Sequence, residues 1–255
     1  METYFYDLRY LVDKKEWRAR AKRDLVFQLW EKYRPQNNME ISDFKQVNIL
    51  DFGCGTGVLQ EEFEKRFNAK GFGIDVSKKA ISYCKKRGLN RIKLFDGNTI
   101  PFKDQSFDLV TAIDVLEHIE DDLGALKEIK RVLKKGGLAL LLVPAHPHLW
   151  STRDINLKHF RRYRVGELED KCKKLGFKLL DSRNVDFVLY FLFSLICLLS
   201  PKKNGIPNLK MDTATASSNK FINEIIFMYE QLENKLQQFT TFPIGLSIAV
   251  VVQKI

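Results

Sequence analysis

The sequence predicts an α/β fold: an open, mostly parallel sheet with helices on both faces. Three observations carry that expectation. Short apolar runs recur along the chain and alternate with segments of helical periodicity. One run, Leu138 to Val143, is apolar throughout, as a parallel strand covered on both faces should be. Glycines gather where a run ends, most densely in NILDFGCGTGVL, with Gly53, Gly55 and Gly57.

Taken in order, residues 1 to about 40 read as helical, with Leu8, Leu11, Val12, Leu25, Leu29 and Trp30 at helical spacings, until Pro35 and its polar neighbours end the region. Val47 to Phe52 is the first expected strand, Val58 to Phe67 a helix and Gly71 to Val76 the second strand. Ser77 should cap a helix running to Arg87 that Gly88 stops. Ile92 to Phe95 and Phe107 to Ile113 follow as strands. A helix over Leu123 to Leu133 should stop at Gly136-Gly137, before the Leu138 to Val143 strand. Val165 to Leu175 reads as a helix stopped by Gly176, and Phe177 to Leu180 begins a sixth strand. After Asp186 the rhythm breaks. FVLYFLFSLICLL, Phe187 to Leu199, precedes Pro201, a polar stretch to Asn219, and a helix with Phe221, Ile225, Tyr229, Leu232 and Leu236 on one face. Leu246 to Val252 closes the chain as a strand. The expected division is a helical cap at 1–40, a core at 41–186, a helical insertion at 187–242 and the last core strand at 243–255.

The 255 residues are 45% hydrophobic, which excludes a disordered chain, and carry a formal net charge of +10. That charge favours anionic partners. Its lysine pairs are scattered over expected helix faces and ends, so a solvated surface is expected and a nucleic-acid partner is not. The four cysteines (Cys54, Cys84, Cys172, Cys197) stand far apart, which suggests neither a zinc ribbon nor a disulfide framework. METYFYDLRY has acids and aromatics where a signal core would be apolar, and a cytoplasmic location is the default expectation.

The glycine-rich turn after the first strand lets backbone pass close under a ligand, and the helix behind it presents free N–H groups. A second element sharpens this: Asp75 ends the next strand, where a carboxylate suits ribose hydroxyls. The pair implies an adenosine-containing cofactor. The loop reads G-C-G-T-G; it is not a dinucleotide GxGxxG, and it lacks the lysine of a P-loop.

DFGCGTG followed by GIDVS, LFDGNTIPFKDQSFDLVTAIDVLEHIEDD and LKEIKRVLKKGGLALLLVP resembles the class I S-adenosylmethionine-dependent methyltransferases, over about Val47 to Leu180. The resemblance implies a Rossmann-like sheet of seven strands with the last antiparallel, and S-adenosyl-L-methionine as cofactor. It implies that Asp51, Gly53, Cys54, Gly55 and Gly57 surround the methionine part. Asp75 would hold the ribose, Val76 would pack on adenine, and Asp96 would bond the adenine amino group beside Gly97 and Asn98. Ile113 and Asp114 would line the floor near the sulfonium. The LEH element is similar to that of ubiquinone-biosynthesis O-methyltransferases, in some of which such a cluster is linked to a divalent cation. For Asp114, Glu117 and His118 the other reading is a loop pinned by hydrogen bonds, and no metal site is assigned.

The stretch AHPHLWSTRDINLKHFRRYRV follows the fifth strand, at the sheet end where ligands bind. Its pattern resembles a methyltransferase branch often found with glycan and lipid-carrier biosynthesis, as do EWRARAKRD and the FPIGLS strand entry. His146, His148 and His159 are the candidate bases for a hydroxyl acceptor. Asp154 would orient His159. Arg161 and Arg162, with Trp150 and Tyr163, would contact the acceptor, the arginines clamping a phosphate or carboxylate. Surface histidines and an Arg-Arg-Tyr run that packs on acids of the domain are the competing readings.

FVLYFLFSLICLL would make a helix of roughly 20 Å, short of the roughly 30 Å of a bilayer core. Being apolar all round, it is expected to be buried: as a core helix over the site, as a pocket wall, or in a membrane surface with Lys202 and Lys203 at the headgroups. The expected function is methyl transfer to a small-molecule, glycan or lipid-linked acceptor, at oxygen. N-methylation and a cofactor-binding protein without turnover are the alternatives.

Overall fold

The computed structural model describes residues 3–34, 46–209 and 219–255. The expected stop at Pro35 and most of the polar stretch before Asn219 lie outside these residues. Helices α1 (Thr3–Val12) and α2 (Trp17–Tyr33) come first. The alternating series follows: β1 (Asn48–Phe52), α3 (Val58–Phe67), β2 (Lys70–Asp75), α4 (Lys78–Lys86), β3 (Ile92–Leu94), β4 (Phe107–Ile113), α5 (Asp122–Val132) and β5 (Leu133–Pro144). Then come α6 (Thr152–Asn156), α7 (Glu167–Lys174), β6 (Phe177–Val185), α8 (Phe187–Leu199), the short hairpin β7 (Lys202–Lys203) and β8 (Ile206–Pro207), α9 (Lys220–Leu236) and β9 (Ser247–Lys254).

Seven strands form one sheet in the order β3-β2-β1-β4-β5-β9-β6. β1 to β5 pair in parallel, and β9 runs antiparallel to both β5 and β6. The pleat of β5 explains its unbroken apolar run. Ala139, Leu141 and Val143 enter one core with Leu126 and Ile129 of α5. Leu138, Leu140 and Leu142 enter the other with Leu25, Leu29 and Trp30 of α2. The second N-terminal helix is therefore a layer of the core as well as a neighbour of the site.

The expected α4 is present, with Ser77 Oγ accepting the Ala80 N–H at 3.3 Å. Elsewhere the structure differs. The chain passes from α5 straight into β5 at Leu133, so Gly136 and Gly137 lie inside a longer strand beside a register shift. They accommodate an irregularity there and do not stop a helix. α7 starts at Glu167, two residues after Val165, on Gly166 at φ 84°.

The apolar insertion is the larger correction. α8 is not buried: Cys197 is its one buried residue, while Phe191, Leu192, Leu195, Ile196, Leu198 and Leu199 are all more than half exposed. α9 is turned as well. Of Phe221, Ile225, Tyr229, Leu232 and Leu236, expected on a single face, all but the half-buried Tyr229 are exposed, and the helix buries Asn223, Phe227, Glu230, Glu233 and Asn234 instead. The polar face wins the interior because it finds partners there. Asn223 Oδ1 accepts the Trp17 N–H at 2.9 Å, and Glu233 accepts the Phe187 N–H at 3.0 Å. Among the described residues no helix is long and apolar enough to cross a membrane.

Entry into β9 is set by Gly245. A Cβ there would collide with the Val185 carbonyl oxygen and stand 2.7 Å from the Val185 nitrogen. Backbone cannot yield as a flexible side chain can. Gly245→Ala is expected to cost about 2–3 kcal/mol of stability in urea unfolding; an unchanged midpoint would show that β6 and β9 shift freely.

Candidate active site

The site is built at the carboxyl ends of the parallel strands, where the chain must turn. After Phe52 the Gly53 and Cys54 N–H groups both donate to the Ile74 carbonyl, at 2.9 and 3.0 Å, which curls the loop over the end of β2. Gly55 and Gly57 take φ of 53° and 81°, left-handed values that a side chain disfavours. A Cβ on Gly55 would meet nothing within 4 Å, leaving the cradle open to a ligand. A Cβ on Gly57 would stand 2.5 Å from Leu89 and 3.0 Å from Cys84, so that glycine seats α3 against its neighbour. Cys54 turns its thiol inward, 4.0 Å from that of Cys84.

This loop forms one wall of a cavity of about 550 Å³. Asp51, Gly53, Cys54, Gly55, Asp75, Val76, Gly97, Ile113 and Asp114 all border it. Gly57, Asp96 and Asn98, also expected at the cofactor, do not; Asp96 is exposed and bends back to accept the Asn98 N–H at 2.9 Å. Asp75 accepts the Gly55 N–H at 2.9 Å, the Ser77 N–H at 2.8 Å and the Tyr6 hydroxyl at 3.3 Å. Burial raises its pKa against those donors. Asp51 is buried, with the Thr111 hydroxyl at 2.8 Å, and burial pushes it up to about 7. Asp114 is held by Lys22 of α2 at 2.7 Å.

On the opposite wall the loop after β5 divides. Asp154, His159 and Arg162 border the cavity; His146, His148, Trp150, Arg161 and Tyr163 do not. The physical reasons are local. His146 and His148 pack against Tyr190 of α8, with the His146 ring 5.0 Å from it and His148 Nε2 at 3.4 Å from its hydroxyl. Arg161 pairs with Asp122 at 3.1 Å, and Tyr163, wholly buried, donates to Asp122 at 2.8 Å. These two fasten the loop to the start of α5, off the cavity wall. Trp150 closes the short 3₁₀ turn Pro147–Leu149.

Asp154 holds what remains. Its carboxylate accepts the Ser151 N–H and hydroxyl, both at 3.0 Å, Arg162 Nε at 2.8 Å and His159 Nδ1 at 3.0 Å. Burial alone would raise its pKa, but the His159 and Arg162 contacts outweigh it and hold it at about 2. An ionised carboxylate only accepts, so His159 carries a proton on Nδ1.

The residues able to hold a metal are not the set the LEH stretch implied. Glu117, His118 and His159 each offer a ligand atom within 4.8 Å of the others, while Asp114 faces Lys22. His118 is pushed down to about 4 by burial and the nearby His159, and is neutral. Glu117 is raised by burial and by Asp114, and one of its oxygens has no hydrogen-bond partner among the described residues. Sequence reasoning also missed Tyr6, Arg18, Lys22 and Arg153, all at the cavity. Arg18 and Lys22 stand four apart on one helix, a spacing visible in EWRARAKRD; nothing local marks Arg153.

Residues 50–141 match the family described as a methyltransferase domain. Over that stretch the chain is similar to a methyltransferase domain, and its sheet is that of the class I methyltransferase fold. The chain is 34% identical over 148 residues to a demethylmenaquinone methyltransferase of Bacillus velezensis, covering 54% of this chain and 62% of that one. It is 32% identical over 136 residues to an uncharacterized protein of Methanocaldococcus jannaschii, covering 51% of this chain and 63% of the other. The chain thus spans somewhat less than two thirds of these relatives' length. Its fold is similar to that of a putative sarcosine dimethylglycine methyltransferase from Galdieria sulphuraria, with TM-score 0.59 and 16% identity over 90% of this chain and 83% of that one. It is also similar to that of a geranyl diphosphate C-methyltransferase from Streptomyces coelicolor, with TM-score 0.59 and 12% identity over 89% and 78%.

For the methyltransferase domain the state of Asp51 has a consequence. With a pKa near 7 its carboxyl is neutral below that pH and ionised above it. A cofactor ammonium held by Asp51, the role the resemblance implies, would prefer the ionised form. Affinity for S-adenosylhomocysteine is therefore expected to fall as pH drops from about 8 to 6, by up to about tenfold per unit. Calorimetry at three pH values checks this: Asp51→Asn should flatten the profile, and a mutant profile parallel to wild type would assign the titration elsewhere.

Proposed function

We propose that the chain transfers the methyl group of S-adenosylmethionine to an oxygen of a small-molecule, glycan or lipid-linked acceptor, with His159 as the base. The observation that carries this reading is the Asp154–His159 pair on the cavity wall facing the glycine loop. The cofactor, when bound, supplies a methyl already activated on a sulfonium. The protein's part is to seat the cofactor on the loop and Asp75, align the acceptor hydroxyl, exclude water and take the proton at His159 Nε2. Asp154 fixes that tautomer and would stabilise the imidazolium that forms. The name of the Bacillus relatives, demethylmenaquinone methyltransferases, supports a small-molecule acceptor.

His159→Ala is expected to lower labelled-methyl transfer into a metabolite or lipid extract by about 10²–10⁴-fold, with S-adenosylhomocysteine affinity unchanged. His146→Ala and His148→Ala should leave turnover intact. Unchanged turnover in His159→Ala would remove the base from this loop, and cofactor binding with no labelled product would favour a protein without turnover.

The outward faces of α8 and α9 favour a lipid-linked acceptor met at a membrane surface. Phe191, Leu195 and Leu199 on α8 and Phe221, Ile225, Met228 and Leu232 on α9 are exposed, and Lys202, Lys203, Lys220 and Lys235 beside them are exposed too. Apolar faces flanked by lysines are the signature of a helix lying in an anionic interface. Wild type should float with anionic vesicles. Leu195→Asp with Leu199→Asp should release it, since each leucine buried in lipid is worth about 1.5–3 kcal/mol; a wild type that stays at the bottom sinks the membrane reading.

A further inference from the structure

The methyltransferase reading leaves one charged side chain in the cavity without a task. Most cations on its wall are matched by named acids. Lys22 pairs with Asp114 at 2.5 Å, Arg162 with Asp154 at 2.8 Å and Arg23 with Glu62 at 3.2 Å. Arg153 borders the same space, yet among the described residues no carboxylate stands within 4.0 Å of it. Its nearest charged influences are mixed and net unfavourable. Burial and the neighbouring Arg18 and Arg162 push its pKa down to about 10, while Asp154 and Asp114 oppose them weakly. Asp154 and Asp114 are already paired to other cations. Glu117, the other buried acid on this wall, is raised by burial and gives little charge.

Arg18 stands beside it from α2. Its contact to Asp186 is long, at 3.8 Å, and Asp186 also accepts the Ser247 hydroxyl at 3.0 Å. Its Nε is buried and has no hydrogen-bond partner among the described residues. Two guanidinium groups with unspent donors therefore line one cavity, close enough to influence each other's charge. Leaving the buried Arg18 Nε without a partner is costly, and Arg153 beside it is half-buried and unpaired among the described residues, an arrangement that a ligand in the cavity would complete.

We infer that Arg153 and Arg18 form a phosphate-binding subsite at the acceptor end of the cavity, so that the methyl acceptor is a phosphorylated molecule. This rests on the methyl-transfer reading above and names the acceptor class for it. Guanidinium forks match phosphate oxygens, and two of them suit a phosphate carrying about −1.5 to −2 better than a single carboxylate charge. Position favours the acceptor over the cofactor's own carboxylate. Arg153 lies on α6, after β5, whereas the cofactor cradle follows β1. Arg153 also precedes Asp154, the residue that orients His159, so a phosphate held there would place an adjoining hydroxyl near the base.

The test uses the full chain saturated with S-adenosylhomocysteine and titrates inorganic pyrophosphate by calorimetry. Wild type should bind it. Arg153→Gln should weaken binding about tenfold or more, Arg153→Lys less, and the exposed-site control Arg164→Gln not at all. Displacement of pyrophosphate by vesicles carrying phosphatidic acid, and not by vesicles without it, would assign the phosphate to a lipid headgroup; no displacement would assign it to a soluble phosphate. The inference fails if wild type does not bind pyrophosphate, or if Arg153→Gln binds it like wild type. It also fails if Arg153→Gln loses S-adenosylhomocysteine instead, because the guanidinium would then serve the cofactor's carboxylate. Wild type that binds pyrophosphate but no S-adenosylhomocysteine would overturn the methyltransferase reading and not the anion subsite.

Discussion

The buried carboxylate of Asp154 organises the part of the cavity wall that follows β5. It is 1% exposed, and four donors from Ser151, His159 and Arg162 converge on it. One of those donors, Arg162, also reaches the Ala145 carbonyl at 3.2 Å, so the charge that fixes the histidine ties the loop back to the end of β5. A buried charge of this kind is tolerated only when it is paired and fully hydrogen-bonded. Its requirements help explain why the loop, rich in charged and polar residues, holds one shape. Neighbouring Asp122 plays a similar part outside the cavity, gathering Arg161, Tyr163 and Lys171.

The two walls of the cavity are made by different physics. On the cofactor side the backbone does the work. Glycines in left-handed conformations bring N–H groups and open space to the strand ends, and the Asp75 carboxylate closes the turn by accepting the Gly55 N–H. On the wall after β5, side chains do it, through charges whose positions depend on contacts distant in sequence. α2 joins the walls: its Lys22 bonds Asp114 at the end of β4, and its apolar face packs into the sheet.

The outer helices follow a third rule. α9 is amphipathic, yet its polar face is the one turned inward, because the residues beneath it offer partners for amides and carboxyls. Asn234 donates to the Ala21 carbonyl at 3.3 Å and Gln237 to the Asn184 carbonyl at 2.8 Å. Satisfying those backbone groups outweighs the loss of apolar burial on the opposite face.

By itself the sequence determined the strand–helix alternation, the glycine turn and Asp75. Each depends on neighbours a few residues away: a two-residue pleat, a helical period, a turn that only glycine adopts without strain. It also placed the histidine–arginine loop after the fifth strand, which put it at the ligand end of the sheet. Tertiary structure alone decided which loop residues reach the cavity. His146, His159, Arg161 and Arg162 have similar local signals; packing against Tyr190 or Asp122 removed two of them and left His159 and Arg162. The same holds for α8, whose apolar pattern predicts burial, and for the amphipathic α9. Periodicity reports that a helix has two faces; which face turns inward depends on what the rest of the fold presents to it, and here it presented hydrogen-bonding groups.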